Sequence, residues 1–411
     1  MIIEFSLGNY RSFNEVQTLS FRATGLTSED KTIDENNIAV VGGQRLLKTV
    51  GVYGANASGK SNLLKGFQFF KKMVKFSLSD EYLLQQSYRT NNYAALISGN
   101  EESFFQVVLY LKGKRYRYGF TANKHSIVSE WLFGQANSNE TYYFTRKGKE
   151  IKVNKEYFPE GNEMPYATKL RQDSLFLSFC SAFNGEISGN IRSFISHDVL
   201  FSGYENDAQI TNGLIRAKRT QDVLEWLRKA DLVYEDVVLN DAQDLNMNDN
   251  NAVEQISMIK KIENPSTTFV EQVALNLLKD ESDGTRKYYS LIGIIDSIFE
   301  FGGLFISDEI DSNFHPALLI KIIGMFNNPA INKANAQLLF TSHDTNLMNP
   351  EIMRRDQFYF TEKSATDATV LYSLADLKGI RNNADFAKQY LAGYYGALPM
   401  LNTFTEPENN H

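Results

Sequence analysis

The sequence predicts an α/β protein in which a parallel core sheet is flanked by helices and a β-rich segment comes first. A short buried strand at residues 48–53 leads through a glycine-containing turn into a helical pattern over residues 60–76. From Tyr288 onward the pattern alternates helix, strand, helix and strand, which is typical of parallel strands joined by crossover helices. The β-rich part is indicated by alternating runs at residues 2–7, 15–21, 103–112, 114–122, 127–133 and 141–144.

Length and composition favour a soluble protein with more than one lobe. The chain has 411 residues, beyond the size at which one hydrophobic core stops growing, so two or three lobes are expected. Hydrophobic residues make up 43% and charged residues 22%, which excludes collagen-like and disordered classes. The net charge of -7 argues against a protein that binds nucleic acid over its whole surface, but it is compatible with a local basic groove.

Cysteine usage and hydropathy predict a cytoplasmic location. Cys180 is the one cysteine of the sequence, so neither an intrachain disulfide nor a cysteine metal site can form. The N-terminal residues lack the basic and apolar regions of a signal peptide. The most apolar long stretch, residues 288–306, is interrupted by Asp296, Glu300 and two glycines, so we expect no membrane span.

A candidate phosphate-binding loop lies between the strand at residues 48–53 and the following helix. The pattern GxxxxGK[ST] is matched in full by Gly54, Ala55, Asn56, Ala57, Ser58, Gly59, Lys60 and Ser61. The glycines let backbone N–H groups surround phosphate oxygens, and the helix N-terminus adds a favourable partial charge. In this pattern Lys60 reaches the β- and γ-phosphates and Ser61 is a ligand of Mg²⁺.

A second apolar strand, at residues 304–307, ends in the adjacent acids Asp308 and Glu309. At this place in a phosphate-loop sheet, the first acid holds Mg²⁺, usually through water. The second acid can orient or deprotonate the attacking water. We therefore assign metal binding to Asp308 and the role of catalytic base to Glu309. A solvated acidic turn would explain the pair taken alone, but not together with a phosphate loop.

A third apolar strand, at residues 337–341, leads into His343, which could hydrogen-bond a γ-phosphate. A lone histidine at a strand end is more often structural, and the neighbouring motifs favour the functional interpretation here. We interpret the remaining histidines as packing or surface residues: His125, His197, His315 and His411.

Residues 281–285 precede the helix that leads into the Asp308 strand. Ser282 and Gly284 could offer a hydroxyl, a backbone N–H and a helix N-terminus to a phosphate. Taken alone, this segment is a common helix N-cap.

In this order the motifs resemble ATP-binding-cassette (ABC) ATPases of the RecF/SMC-like branch. Within that branch, the chain resembles the AAA_15/AAA_21-type ATPases of bacterial anti-phage and abortive-infection systems. The matching segments are residues 9–13 (N-terminal element), 281–285 (signature), 308–311 with 315–316 (Walker B and D-loop), 341–344 (H-loop), 354–357 and 394–397. The resemblance implies a P-loop NTPase of ABC head type, with a mixed N-terminal β-subdomain, a parallel core sheet flanked by helices and a helical insertion.

The resemblance also implies a head that binds Mg²⁺ and ATP between two protomers. Lys60 and Ser61 of one protomer would face Ser282 and Gly284 of the other, and Arg11 would lie near the nucleotide. The resemblance is also compatible with larger assemblies of such dimers.

In its signature segment the chain departs from the transporter pattern, and for the metal-binding glutamine it offers two candidates. Asp283 and Thr285 stand where the transporter signature LSGGQ has Gly and Gln. For the glutamine that helps to bind the metal, Gln172 is our first choice, because it precedes the apolar run at residues 175–179, and Gln106 is its rival.

We expect four segments along the chain. They are an N-terminal ATPase lobe with the β-subdomain and phosphate loop (1–167), a mostly helical insertion (168–280), a C-terminal ATPase lobe with the signature, Walker B and H-loop (281–402), and a polar tail (403–411). A polar loop is expected at Asn240–Asn251.

The segment between the phosphate loop and the signature lacks heptads, which argues against a long coiled coil. Too few residues follow Tyr359 for an appended nuclease domain, so a nuclease or toxin activity is expected in a separate effector.

The leading functional hypothesis is an ATPase, converting ATP and water to ADP and phosphate, that works as a nucleotide-driven dimeric switch or sensor in anti-phage defence. The alternatives are a RecF-like DNA-repair ATPase and a slowly hydrolysing structural scaffold. Nucleic acid is a candidate partner, although charged runs are usually solvated surfaces. The basic clusters are Lys71-Lys72-Lys75, Arg146-Lys147-Lys149 and Arg216-Lys218-Arg219.

Overall fold

The computed structural model describes residues 1–91, 99, 101–136, 139–162, 169–203, 207–240, 255–263 and 270–399. The polar tail at 403–411 and, from residue 241 on, the polar loop expected at Asn240–Asn251 lie outside the described residues. No helix within the described ranges is long and apolar enough to cross a membrane.

Strands and helices alternate along much of the described chain. The strands are β1 (Ile2–Gly8), β2 (Gln17–Ser20), β3 (Ile38–Val41), β4 (Gln44–Leu47), β5 (Thr49–Tyr53), β6 (Ser103–Leu111), β7 (Lys114–Ala122), β8 (Ile127–Ala136), β9 (Asn139–Lys147), β10 (Glu150–Val153), β11 (Val199–Phe201), β12 (Asp236–Asn240), β13 (Gln255–Glu263), β14 (Val270–Asn276), β15 (Leu304–Ser307), β16 (Gln337–Thr341), β17 (Phe358–Lys363) and β18 (Thr369–Ser373).

The α-helices are α1 (Lys31–Asn37), α2 (Lys60–Phe76), α3 (Leu83–Ser87), α4 (Pro159–Asn162), α5 (Phe176–Ala182), α6 (Glu186–Ser193), α7 (Asp207–Arg216), α8 (Thr220–Lys229), α9 (Asp283–Phe301), α10 (Pro316–Asn327) and α11 (Phe386–Leu391). A π-helical turn spans Phe194–Asp198, and short 3₁₀ turns span Thr345–Leu347, Arg355–Gln357 and Leu374–Asp376.

The chain divides into two compact units. The phosphate-loop unit comprises residues 2–196 and 341–411, and the acidic-motif unit comprises Met1 and residues 197–340. The chain thus passes between the units at 196/197 and 340/341, whereas the sequence suggested boundaries at 167/168 and 280/281.

In the phosphate-loop unit, a seven-stranded antiparallel sheet has the order β10-β9-β8-β7-β6-β1-β2. Helix α2 packs on this sheet through aromatic side chains, since the Phe67 ring lies 4.2 Å from Phe5 and the Phe70 ring 5.7 Å from Phe120. In a second sheet of this unit, β5 pairs in parallel with β17, and β17 pairs antiparallel with β18. The phosphate-loop residues therefore begin where β5 ends and α2 starts.

The acidic-motif unit contains three parallel strands in the order β11-β15-β16, with β15 in the centre. Helices α7 and α9 are joined by a buried hydroxyl, because Thr211 Oγ1 donates to the Tyr289 carbonyl and accepts from the Gly293 N–H. A separate antiparallel sheet is formed by β12, β13 and β14. Parallel strands with flanking helices and an antiparallel β-part confirm the predicted α/β class.

The prediction that residues 168–280 are mostly helical is correct for α5–α8 and wrong for the strands between 236 and 276. In β13, Ile256 and Met258 are buried while Ser257 between them is half-buried, so the segment has the period of two that a strand requires. Charged and polar residues elsewhere in the segment conceal this short alternation in the sequence.

A buried carboxylate ties the seven-stranded sheet to the start of α5. Glu130 of β8 accepts hydrogen bonds from the N–H groups of Phe176 (2.7 Å) and Leu177 (2.9 Å). The Arg146 guanidinium lies 3.5 Å away and itself donates to the Ser174 carbonyl. Burial raises the pKa of Glu130, and the charge of Arg146 and the two amides oppose that shift. These contacts anchor the segment that follows Gln172.

We predict that Glu130→Ala destabilises the protein by about 3–5 kcal/mol, because it leaves the buried Arg146 charge without its carboxylate. The matched control is Glu140→Ala, which removes the partly exposed partner of Arg117 and should cost about 0.2–1 kcal/mol. Urea unfolding of both variants measures the difference. Equal losses would show that the Glu130 pair does not anchor the sheet.

Candidate functional site

The backbone of the phosphate loop requires glycine at two positions. Gly54 has φ +149° and Gly59 has φ +121°, values that side chains rarely allow. A Cβ atom at Gly54 would lie 2.4 Å from the Thr361 carbonyl oxygen, and one at Gly59 would lie 2.2 Å from Thr369 Oγ1. Between them, Ala57 has φ +61°. The loop is therefore held tightly against β17 and β18.

Lys60 begins α2 and its side chain folds back over the loop. It is only 6% exposed, and its Nζ donates to the carbonyl oxygens of Gly54 (2.7 Å) and Ala55 (3.1 Å). Ser61 is half-buried in the first turn of the same helix. This arrangement brings an ammonium, a hydroxyl and a helix N-terminus to one place, which suits the binding of phosphate oxygens.

Hydroxyl groups form the layer beneath the loop. Ser58 Oγ lies 2.6 Å from Thr361 Oγ1, and Thr369 Oγ1 donates to the Ser58 carbonyl at 2.7 Å. Thr369 Oγ1 is also 2.8 Å from Ser12 Oγ, which accepts a hydrogen bond from Asn62 Nδ2 at 2.9 Å. These contacts join the N-terminal turn, β17, β18 and α2 around the loop. The sequence singled out neither Thr361 nor Thr369, and it offered Ser12 only as part of the motif at residues 9–13.

Arg11 lies in the turn that this network holds. Its φ is +52°, its N–H donates to the Arg89 carbonyl, and its own carbonyl accepts from Asn91 Nδ2 at 3.0 Å. Its guanidinium lies 5.5 Å from the centre of the Tyr10 ring. The next residue, Ser12, contacts the layer beneath the loop, and the role of Arg11 at a nucleotide stays a prediction.

His343 follows the last residues of β16 and is exposed. The Ser342 N–H donates to the Val52 carbonyl at 3.2 Å, which places this strand end beside β5, just before the phosphate loop. Asp344 caps the following 3₁₀ turn by accepting from the Asn346 N–H at 2.9 Å. A histidine at this strand end, beside β5, is suited to reach a γ-phosphate. This role of His343 remains a prediction.

The two candidate glutamines have different surroundings. Gln106 lies on the seven-stranded sheet, where its Oε1 accepts hydrogen bonds from Arg117 and from Trp131 Nε1, both at 3.1 Å. Gln172 is exposed, and its carbonyl accepts from the Ile127 N–H at 2.8 Å. The side-chain oxygen of Gln106 is already used on the sheet surface, so we keep Gln172 as the predicted ligand.

In the acidic-motif unit, Asp308 and Glu309 come directly after the buried central strand β15 and are both exposed. Glu309 has φ +47°, so the chain turns sharply at the predicted base. Both carboxylates therefore reach solvent from the carboxyl end of a parallel strand.

The signature segment begins α9, a helix of 19 residues. Ser282 is the N-cap residue, and its Oγ accepts from the Thr285 N–H at 3.2 Å. Asp283 in the first turn forms an ion pair with Arg286. This pair offsets the negative charge that would otherwise oppose a phosphate at the helix N-terminus.

No group of three or more His, Cys, Asp or Glu side chains arranged to hold a metal occurs among the residues that the structure describes. Of the predicted magnesium ligands, Ser61 and Gln172 belong to the phosphate-loop unit and Asp308 belongs to the acidic-motif unit.

The strand, loop and helix geometry defines a P-loop NTPase. The sequence model of the AAA_21 family, described as "AAA domain, putative AbiEii toxin, Type IV TA system", matches residues 50–349. The match covers more than half of the chain, from the strand before the phosphate loop to just beyond His343. The protein belongs to this family of AAA-type ATPases, which confirms the resemblance inferred from the motifs.

Three of the solved structures to which the chain is similar are heads of SMC proteins. The SMC head domain from Thermotoga maritima is 13% identical with a TM-score of 0.40, over 90% of this chain and 98% of that one. The SmcHead bound to the C-winged helix domain of ScpA is 10% identical with a TM-score of 0.44, over 90% and 97%. The Smc head domain with a coiled coil and joint derived from Pyrococcus yayanosii is 8% identical with a TM-score of 0.42, over 96% and 99%. No curated protein matches the chain.

We predict that Gly59→Ala weakens the binding of Mg²⁺ and ATP by about 5- to 150-fold, since strain of about 1–3 kcal/mol would fall on the loop. Titration with a fluorescent ATP analogue measures this change. The control is Gly113→Ala, which also has a positive φ (+82°) but lies in open space between β6 and β7. If Gly59→Ala binds ATP as the unaltered protein does, residues 54–61 are not the nucleotide loop.

Proposed function

We propose that this protein hydrolyses ATP with Mg²⁺ and uses the reaction as a dimeric switch that controls a separate effector in anti-phage defence. The observation that carries the proposal is the phosphate loop, whose positive-φ glycines pack against Thr361 and Thr369 at the start of α2. This geometry, at the N-terminus of a helix, supports a role in phosphate binding.

Phosphate binding would use the backbone N–H groups of residues 54–61 and the ammonium of Lys60. Ser61, Asp308 and Gln172 are the candidate protein ligands of Mg²⁺, which would supply positive charge against that of the phosphate groups. Few protein ligands are needed, because Mg²⁺ normally keeps several waters and phosphate oxygens in its shell.

Hydrolysis would depend on Glu309, whose exposed carboxylate can accept a proton from the attacking water. A positioned general base of this kind contributes about 10²–10⁴ to the rate. His343 would donate a hydrogen bond to the γ-phosphate and so respond to its presence.

Dimer formation would place the N-terminus of α9, with Ser282 and Gly284, against the nucleotide of a second protomer. Two features support this role: the cap at Ser282 is exposed, and the charge of Asp283 is paired with Arg286. The partial positive charge of a long helix then adds to phosphate binding in the closed dimer.

The output would arise because the closed and open dimers present different surfaces to a partner. The family description names a putative AbiEii toxin of a type IV toxin–antitoxin system, and this supports a role in defence. A separate effector, such as a nuclease, would supply the damaging activity.

We predict that Glu309→Gln binds ATP but hydrolyses it at least about 10²-fold more slowly, because the water loses its base. Phosphate release gives the rate. Light scattering with and without Mg²⁺ and ATP should show a larger mass only with nucleotide. Lys60→Ala is the control, since it should neither bind ATP nor gain mass. If Glu309→Gln hydrolyses ATP at the unaltered rate, the base lies elsewhere. If its mass is the same with and without ATP, the switch is contradicted.

We predict that Ser282→Arg blocks hydrolysis and that mixing it with Lys60→Ala restores part of the activity. A hybrid dimer has one intact site, made from the phosphate loop of one variant and the signature of the other. Because only one of the two sites in a hybrid dimer is intact, recovery should stay below about half of the unaltered activity. Each variant alone is the control. Mixtures without recovery would contradict a site shared between protomers.

A further inference from the structure

Lys287, in the second turn of α9, holds the backbone that follows the acidic pair. Its Nζ lies 3.2 Å from the carbonyl oxygen of Glu309 and 3.4 Å from that of Ile310. It also donates to the carbonyl oxygen of Ser312 at 2.7 Å and contacts Ser312 Oγ at 2.6 Å. One ammonium therefore contacts four acceptor atoms on three residues of the segment 309–314.

The ammonium of Lys287 is partly withdrawn from water at this position. It lies 4.8 Å from the centre of the Phe314 ring, a favourable place for a cation. Burial lowers the pKa of Lys287, and the negative charges of Asp311 and Glu309 oppose that shift. A partly buried charge is costly unless it is hydrogen-bonded, and here the carbonyl groups supply the bonds.

The segment that Lys287 holds has an unusual backbone. Glu309 has φ +47°, an angle that a glutamate keeps only where its surroundings impose it. Asn313 has φ +64°, a left-handed conformation that asparagine adopts more readily than most residues. The first turn of α9 touches the same segment, because a Cβ at Gly284 would lie 2.7 Å from the Asn313 carbonyl oxygen. The start of α9 thus contacts residues 309–313 at two points.

We propose that Lys287 is a positioning residue for hydrolysis: it fixes residues 309–313 so that the Glu309 carboxylate keeps one orientation. Because Lys287 and Ser282 belong to the same helix end, the position of that end also sets the position of Glu309. A phosphate bound at Ser282 would in this way favour the active arrangement of the base. The inference rests on the proposed ATPase function and adds a residue that none of the sequence motifs contains.

The test replaces Lys287 with methionine, which keeps the length of the side chain and removes its hydrogen-bond donors. We expect kcat to fall at least about tenfold, as a small misplacement of a catalytic group can do, with the affinity for ATP unchanged. Lys287→Arg, which keeps the charge and donors, should recover part of kcat. The matched control is Lys321→Met in α10, which removes an exposed lysine that donates to the Lys229 carbonyl, and it should behave as the unaltered protein.

Amide hydrogen exchange in the absence of nucleotide tests the contact apart from catalysis. Exchange at residues 309–314 should be faster in Lys287→Met and unchanged in Lys321→Met. Ser312→Ala removes one acceptor and should give a smaller increase, which provides a second variant if Lys287→Met folds poorly. Unchanged exchange at residues 309–314 overturns the proposal, whatever happens to kcat.

Failure of the ATPase proposal would be recognised separately. In that case the unaltered protein, Lys60→Ala and Glu309→Gln would all lack nucleotide-dependent phosphate release, while exchange at residues 309–314 would still report the Lys287 contact. Faster exchange together with an unaltered kcat in Lys287→Met would overturn the role of Lys287 in hydrolysis alone.

Discussion

The positive-φ backbone at Gly54 and Gly59 is the constraint on which the phosphate-loop unit depends. Each glycine lies where a Cβ would collide with β17 or β18, so the loop keeps its form only if those strands keep theirs. The hydroxyl groups of Thr361 and Thr369 bind the loop from that side, and Ser12 connects Thr369 to the N-terminal turn. A conformation that costs free energy locally is thus supported by contacts from distant parts of the chain.

Elements with a strong local pattern were predictable from the sequence. Helix α2 and strands β15 and β16 have the predicted limits, because a continuous apolar run or a clear amphipathic period defines each of them. The strands between residues 236 and 276 were missed, since only a few alternating side chains mark them. The pairing of β1 with β6 joins segments about 100 residues apart and could not be read from either strand.

In the candidate site, too, residues in short local motifs could be predicted from the sequence, whereas residues that act through tertiary contacts could not. The loop residues 54–61, the acids Asp308 and Glu309, and the cap at Ser282 each belong to a short motif with a known chemical purpose. Thr361, Thr369 and Lys287 belong to none, and they matter because folding brings them to the motif backbones. An ordinary threonine in a strand or lysine in a helix gives no signal of such a contact.

Lys60 and Lys287 show how one side chain type can serve two purposes in this protein. Lys60 is buried and Lys287 is half-buried, and both ammonium groups are bound by backbone carbonyls. Lys60 is held by the loop that would receive ATP, so phosphate oxygens, which are stronger acceptors, can replace the carbonyls of Gly54 and Ala55 at little extra desolvation cost. Lys287 is held by three backbone carbonyls of a turn that would not bind the nucleotide itself. The first lysine is therefore suited to exchange its partners during the reaction cycle, whereas the second is suited to keep them.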